Sequence, residues 1–359
     1  MYAIRLCAPL LALVWVTTIT GCQSPPPAAE AAPAAVANTP EAQLRSLDNQ
    51  IALNSRDYAL YLDRSRLYYA MDSIPQALKD ADQAVALFRD GPNVHYWRGF
   101  LAFATGDTVR AMEAYNRAEL LGTDEAEVFY QRGQIFFFRG EYGKASRDYL
   151  AATELDSLQP IYVFAQGYLA EKQGDTKTAL RKYLDALKID TTFDKALARL
   201  HDVYLYQKGS PQEAMKYNQR LLEAHPLHPL GHFNLGSEYL RQALMMGGSA
   251  QENERRTLIN QAVSEFTISV ARDPNFDQAW YTRGYCYYLG EKLDEAMRDF
   301  EKTLSINPDF AQAHHMIGSI YAYSGDYRSA LGYLRRAAEL NPASRDFREK
   351  AEEVSALVQ

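Results

Sequence analysis

The chain has 359 residues with 45 acidic and 38 basic side chains, which gives a formal net charge of −7 at pH 7. An acidic chain is repelled by polyanions, so we expect no nucleic-acid partner. It contains three cysteines, Cys7, Cys22 and Cys286. The first two belong to the N-terminal segment described next, which leaves Cys286 alone and excludes a framework of intrachain disulfides in the mature protein.

Residues 1–21 predict a secretory signal. Arg5 is the only charge before Glu30, and the apolar run CAPLLALVWVTTIT is shorter than the roughly 20 residues of a membrane span. The stretch at 19–22, Ile-Thr-Gly-Cys, resembles a bacterial lipobox. This resemblance implies that the signal is removed and that Cys22 carries the acyl chains, including palmitate. The alternative is an ordinary signal peptide cut further along, with Cys22 incidental.

Residues 22–43 predict a Pro/Ala-rich tether. Such a composition cannot form a core and favours extended polyproline II. Acyl chains at Cys22 would anchor it firmly to a membrane of the bacterial cell envelope. The residue after the cysteine is Gln23 and not Asp, and resemblance to lipoprotein sorting rules then favours the outer membrane over the inner one.

A single helix is predicted for residues 44–57, and from 58 to 344 the chain repeats with a period of 34 residues. Glycines recur at 99, 133 and 167 and again at 284 and 318, and alanines recur twelve residues after each of them. A 34-residue period with paired amphipathic helices resembles the tetratricopeptide repeat (TPR) family. The residues that carry the resemblance in the best-formed repeat are Trp280, Gly284, Tyr287, Ala296, Phe300 and Pro308.

The resemblance implies an all-α fold, a right-handed α-solenoid of about eight TPR helix hairpins with a capping helix at 345–359. Two repeats depart from the period. The fifth has one extra residue, which we place in a longer turn within YQKGSPQEA (206–214). The sixth has an insertion at 243–257 that includes MMGG, interpreted either as a partner contact or as two lengthened helices with a loop.

A recurring arginine resembles a functional motif, but its spacing from an aspartate indicates a structural role. Arg64, Arg132 and Arg283 are each followed sixteen residues later by an aspartate, at Asp80, Asp148 and Asp299. Across a helix hairpin this spacing brings the two side chains together. We therefore predict a structural ion pair in each of these three hairpins, with a functional basic stripe as the alternative. Arg98 is the exception, because the residue sixteen positions later is Ala114.

A histidine cluster is the remaining chemical candidate. His225, His228 and His232 lie close together in HPLHPLGH, where a metal site would need a further converging ligand. We interpret them as polar loop residues. The sequence contains no phosphate-binding loop, nucleophile elbow or paired-cysteine motif. We therefore predict no catalytic residue, no metal site and no cofactor, and we expect that the protein is not an enzyme.

The TPR resemblance further implies that ligand peptides contact positions two, five, nine and twelve of each first helix, on a concave face. Carried over by position, the candidate groove comprises Tyr69, Tyr96, Phe100, Phe103, Tyr130, Gln134, Phe137, Phe164, Tyr168, Glu171, Tyr281, Tyr285 and Tyr288. Aromatic residues replace the Lys and Arg of a carboxylate clamp at these positions, which favours an extended or helical segment of a partner protein. The alternative for these side chains is packing between repeats.

Together these features predict a lipid-anchored envelope adaptor that binds protein partners through the groove. A glycan- or nutrient-capturing surface lipoprotein is the second hypothesis, because aromatic rings also stack on sugars. An enzyme or metal protein that uses the histidine cluster is the third.

Overall fold

The computed structural model describes residues 39–246 and 251–358, and all regular structure in these ranges is helical. The predicted signal and the predicted lipidation site, Cys22, lie outside the described residues. The helices are α1 (Pro40–Leu53), α2 (Tyr58–Ala70), α3 (Ile74–Leu87), α4 (Pro92–Ala104), α5 (Thr108–Leu120), α6 (Ala126–Phe138), α7 (Tyr142–Leu155), α8 (Pro160–Lys172), α9 (Thr176–Ile189), α10 (Asp194–Asp202), α11 (Pro211–Ala224), α12 (Pro229–Met245), α13 (Glu252–Arg272), α14 (Asp277–Leu289), α15 (Leu293–Ile306), α16 (Ala311–Tyr323), α17 (Tyr327–Leu340) and α18 (Arg345–Leu357).

Each even-numbered helix from α2 to α16 packs against the helix that follows it, which gives eight antiparallel hairpins in the described residues. The chain divides into two compact units between Leu87 and Phe88. The first contains α1 and the hairpin α2–α3, and the second contains the other seven hairpins and α18. The predicted fold class, an α-solenoid of TPR helix hairpins, is confirmed.

The hairpins close because glycine lets the two helices approach. At Gly133 in α6, an added Cβ would lie 2.7 Å from Cε1 of Tyr149 in α7. Ala145, fully buried in α7, is the small residue of the second helix. The turn between the helices contains Gly140 with φ = +74°, a left-handed conformation that glycine adopts without strain. The same arrangement recurs along the chain, so local spacing fixes each hairpin.

The ion pairs predicted from the sixteen-residue spacing are present. In the α6–α7 hairpin, Arg132 Nε and Nη2 donate to the two carboxylate oxygens of Asp148 over 2.7 and 2.8 Å. Arg64 with Asp80, and Arg283 with Asp299, form equivalent two-pronged pairs. Each pair joins the two helices of one hairpin, which confirms the structural interpretation.

Helix boundaries at the N-terminal end differ from the sequence interpretation. The α1 helix begins at Pro40, because the Thr39 side chain accepts a hydrogen bond from the backbone N–H of Ala42 (3.2 Å). Residues 40–43, assigned to the tether, are therefore helical. The helix ends at Leu53, before the predicted end at 57. At the other end, α18 begins after the cap residue Ser344 and buries its apolar face against α17.

The extra residue of the fifth repeat lies in the first helix of its hairpin and not in the turn, where it was predicted. Residues Val203–Gln207 continue α10 as a π-helical turn, closed by a bond from the N–H of Lys208 to the carbonyl of Val203 (3.0 Å). The first helix of this repeat is thereby lengthened, while the turn before Pro211 is as long as the turn of the preceding hairpin, α8–α9. A π turn absorbs one inserted residue without rotating the rest of the helix.

The sixth hairpin has two lengthened helices, as one of the two interpretations expected: α12 has 17 residues and α13 has 21. Residues 247–250 of the insertion lie outside the described ranges. In the part of the chain that the structure describes, no helix has both the length and the apolar character that crossing a membrane requires.

Candidate functional site

The predicted groove residues lie at the boundary between core and surface. Tyr69 in the first compact unit and Tyr288 in the second are exposed, at 37% and 36%. The other eleven are half-buried, and none is fully buried. They therefore combine packing with an accessible edge.

Three of these residues, on α6 and α8, form a continuous row across two hairpins. The ring centroids of Phe137 and Tyr168 are 5.3 Å apart. Those of Tyr168 and Phe164 are 6.3 Å apart, with ring planes 7° from parallel. We call Phe137, Phe164 and Tyr168 the aromatic row.

A charged pair lies at the end of the aromatic row. Glu171, one turn after Tyr168 in α8, accepts hydrogen bonds from Arg199 of α10 and from the Tyr183 hydroxyl (2.5 Å). The Arg199 guanidinium lies 5.5 Å from the Tyr168 ring centroid. Burial alone would lower the pKa of Arg199, but its hydrogen bond and charge interaction with Glu171 raise it. Glu171 was predicted as a polar contact for a ligand, and the structure places it in a pair between two hairpins.

The remaining candidates of α4 and α6 contribute more to packing. Tyr130 lies 5.2 Å from Tyr162 of the next hairpin, and burial raises the pKa of its hydroxyl to about 12. That hydroxyl accepts a bond from Gln134 (2.5 Å). Other candidates on α4 pack against the buried cluster around Tyr115 or stack on a neighbouring indole, and these are Tyr96, Phe103 and Phe100. The alternative interpretation, packing between repeats, accounts for much of their surface.

The candidates on α14 form a separate cluster. Tyr281 contacts Phe300 and Phe310, with centroids 5.6 and 5.0 Å apart, and burial raises its pKa to about 12. Tyr285 and Tyr288 stack at 6.5 Å. No aromatic contact in the described residues joins this cluster to the aromatic row.

The histidine cluster serves helix ends. His225 bonds the carbonyl of Thr192 through Nε2 (2.7 Å), and His228 Nδ1 caps α12 by accepting from the N–H of Gly231 (3.3 Å). His232 lies between Glu265 (2.6 Å) and the carbonyl of Pro226 (3.0 Å). Within residues 39–246 and 251–358, no group of three His, Cys, Asp or Glu side chains is placed to hold a metal ion.

One feature that the sequence analysis missed is a cavity of about 320 Å³ between α10, α11 and α12. Its lining includes Tyr206 of the π turn, which is 76% exposed, and the buried His201 and Asn234. The only sequence signal was the extra residue of the fifth repeat, which indicated an irregularity and not a cavity.

Successive antiparallel helical hairpins built on one 34-residue period define a repeat protein of the class that scaffolds protein–protein interactions. Models of the tetratricopeptide repeat match residues 62–126, 130–195, 278–310 and 311–344, together more than half of the chain. The protein belongs to the tetratricopeptide repeat family.

Similar curated proteins match only part of their own length. The Hsp70-Hsp90 organizing protein 3 of Arabidopsis thaliana is 25% identical over 87 residues, 24% of this chain and 16% of that protein. The Tetratricopeptide repeat and J domain-containing co-chaperone DNJ1 of Fusarium oxysporum is 30% identical over 103 residues, 29% of this chain and 20% of that protein. This chain thus spans a fifth or less of these relatives.

Among solved structures, the APC/C hetero-tetramer Cut9-Hcn1 is similar with a TM-score of 0.57 at 14% identity, covering 88% of this chain and 59% of that chain. At so low an identity, this structural similarity shows a shared fold and nothing about function.

Proposed function

We propose that this protein is a lipid-anchored adaptor of the bacterial cell envelope that binds a segment of a partner protein on the face presented by its first helices. The observation that carries the proposal is the aromatic row, three half-buried rings in contact across two hairpins. Rigid aromatic side chains offer a large contact area at a small entropic cost, which is why they are enriched where proteins bind one another.

The environment of Tyr168 favours a protein over a glycan. A sugar needs a free ring face, but Arg199 and Lys172 lie 5.5 and 5.3 Å from the centroid of this ring, and Phe164 stacks on it. Edges of the row remain accessible to apolar side chains. The nearby Arg199 is already bonded to Glu171, so the site does not resemble a clamp for a terminal carboxylate. An internal extended or helical segment fits this surface best.

Two further observations support the adaptor role. The names of two partial relatives, an organizing protein and a co-chaperone, describe proteins that work with others. The lipobox-like sequence before Cys22, followed by a Pro/Ala-rich stretch, supports an anchored location with the outer membrane favoured. The acidic charge supports the absence of a nucleic-acid partner.

The partner is tested by photocrosslinking in the native cell, with p-benzoylphenylalanine at position 168. An aromatic ring is retained there, so packing in the row is disturbed little. The matched control is the same probe at Leu184, an exposed apolar residue on the second helix of the same hairpin. We expect a discrete protein adduct from position 168 and none from position 184. Equal labelling at both positions, or no adduct at 168, would contradict the proposal.

The anchor is tested separately by metabolic labelling with an alkynyl palmitate. We expect the wild-type chain to be labelled and to sediment with membranes. A Cys22→Ser variant should lose the label and appear in the soluble fraction. Labelling that persists in this variant would refute lipidation at Cys22 and leave the proposed partner surface untouched.

A further inference from the structure

A chain of hydrogen bonds links the cavity beside the π turn to the aromatic row. Arg199, which contacts Tyr168, donates to Asp202 Oδ2 (3.1 Å), and Asp202 Oδ1 lies 3.2 Å from Nδ1 of His201. His201 is 3% exposed and lines the cavity. Arg199, Asp202 and His201 thus connect Tyr168 of the row to the cavity lining across α10.

One wall of the cavity is apolar. It is formed by two residues of the π turn, two from the start of α11 and one from α12, and these are Leu205, Tyr206, Pro211, Met215 and Phe233. A volume of about 320 Å³ is at the small end of the range for ligand sites, so the cavity accommodates one ring-sized group and not an extended chain.

The other wall offers hydrogen-bonding groups. Asn234 donates from its amide nitrogen to Asn218 Oδ1 (3.1 Å), which leaves its own carbonyl oxygen for a ligand. In the part of the chain that the structure describes, His201 bonds through Nδ1 and not Nε2, and the hydroxyl of Ser237 bonds no other protein group. The cavity thus presents both a donor and acceptors.

The two charged residues of the lining neutralise each other. Arg241 donates from Nε and Nη2 to both carboxylate oxygens of Glu238, over 2.8 and 2.5 Å. Because these two charges already pair with each other, they offer a cationic or anionic ligand no unpaired opposite charge. The lining therefore favours an uncharged ligand.

We propose that this cavity is an anchor pocket for an uncharged aromatic side chain, tyrosine or tryptophan, of the partner segment. Each of these side chains has an apolar ring and a single polar tip that requires a partner when buried, which matches one apolar wall facing one polar wall. This inference rests on the proposed function, because it names the residue type by which the partner of the aromatic row is held.

The test uses the purified protein and small probes, so it does not depend on knowing the partner. Saturation-transfer NMR is measured with N-acetyltyrosinamide and N-acetyltryptophanamide, and with N-acetyllysinamide as the charged comparison. A Ser237→Phe variant fills the cavity from α12, and Leu184→Phe on the surface of α9 is the matched control. We expect both aromatic amides to bind the wild type and Leu184→Phe equally, and to bind Ser237→Phe at least tenfold more weakly.

A second variant keeps the test decisive if Ser237→Phe does not fold. Tyr206→Ala changes a side chain that is 76% exposed, and it should weaken binding of the aromatic amides at least threefold. Absence of binding to the wild type, tighter binding of the lysine amide, or unchanged affinity in these variants overturns the pocket. If the aromatic amides do not bind but the crosslinked adduct at position 168 is still formed, the pocket proposal fails and the partner surface stands. Binding of the amides without that adduct supports the pocket and contradicts the partner surface.

Discussion

Two of the buried ion pairs differ in a way that predicts unequal stability losses. Arg132 pairs with Asp148 and also bonds Glu119 and Asn116 (3.0 Å). Arg283 pairs with Asp299 and otherwise bonds only the hydroxyl of Thr267 in the described residues (3.2 Å). Removing the aspartate charge therefore leaves Arg132 with a second carboxylate and Arg283 with none.

The size of the difference follows from burial. Breaking a buried pair by removing one partner costs about 3–5 kcal/mol, and Asp299, with a 7% exposed side chain, belongs to this class. We expect Asp299→Asn to destabilise its hairpin by about 3 kcal/mol. Glu119 is 49% exposed, so its remaining attraction for Arg132 is screened and offsets about 1 kcal/mol. Asp148→Asn should therefore cost about 2 kcal/mol.

The assay is hydrogen exchange followed by mass spectrometry, because a solenoid can open hairpin by hairpin and a single unfolding free energy is then poorly defined. With about 1.4 kcal/mol per tenfold change in exchange rate, amides of α14–α15 should exchange about 150-fold faster in Asp299→Asn. Those of α6–α7 should exchange about 30-fold faster in Asp148→Asn.

The control removes both members of the Arg283–Asp299 pair, which has no second carboxylate. Arg283→Met/Asp299→Leu leaves no buried charge, so its exchange should be close to that of the wild type. An Asp148→Asn loss equal to or larger than that of Asp299→Asn would refute the role of Glu119. A double variant as unstable as the single one would refute the argument from an uncompensated charge.

Three other predictions concern packing and titration. Gly167→Ala should lower the midpoint of thermal unfolding, because the added Cβ would lie 2.8 Å from Cε1 of Tyr183. Gly332→Ala, where the added Cβ would meet open space, should not lower it. Equal shifts in the two variants would contradict the argument from close helix approach. Burial raises the pKa of the Cys286 thiol to about 12, so iodoacetamide should label it far more slowly in the native than in the unfolded protein, and similar rates would be evidence against its burial. Burial lowers the pKa of His315 below 6.5, so the unfolded state takes up the proton first and the stability of the folded state falls as the pH drops through about 6.5. Hydrogen exchange of α18, measured between pH 7 and pH 5, should show this loss of stability. The loss should be smaller in a His315→Phe variant.

The hairpins could be predicted from sequence because each depends on residues within one repeat. Gly133, Ala145 and the Arg132–Asp148 pair all meet inside a single hairpin, at spacings that recur along the chain. A repeated short-range pattern determines repeated local packing. The same logic missed the start of α1, because one capping side chain, Thr39, decides that boundary and belongs to no repeat.

Contacts between repeats were less accessible to sequence reasoning. Glu171 bonds Arg199, 28 residues away in the next hairpin, and this spacing does not recur at equivalent positions. The groove positions of Glu171 and Phe137 could be assigned from the period, but their bonding could not, because it depends on how two neighbouring hairpins present side chains of different length and charge. The partner surface and Cys22 remain predictions.

The π turn shows why a break in the period marks an irregular place in the fold without defining its chemistry. One added residue would rotate everything after it by about 100° around an α-helix and would turn the following side chains off their shared face. The π turn confines this change to Val203–Gln207, where Tyr206 is 76% exposed. Arg199 precedes the turn, so its contact with the row is unaffected. The space left between three helices is the cavity. Its lining comes from residues that the period treats as ordinary, so the irregular length marks the place and only the three-dimensional arrangement gives its ligand preference.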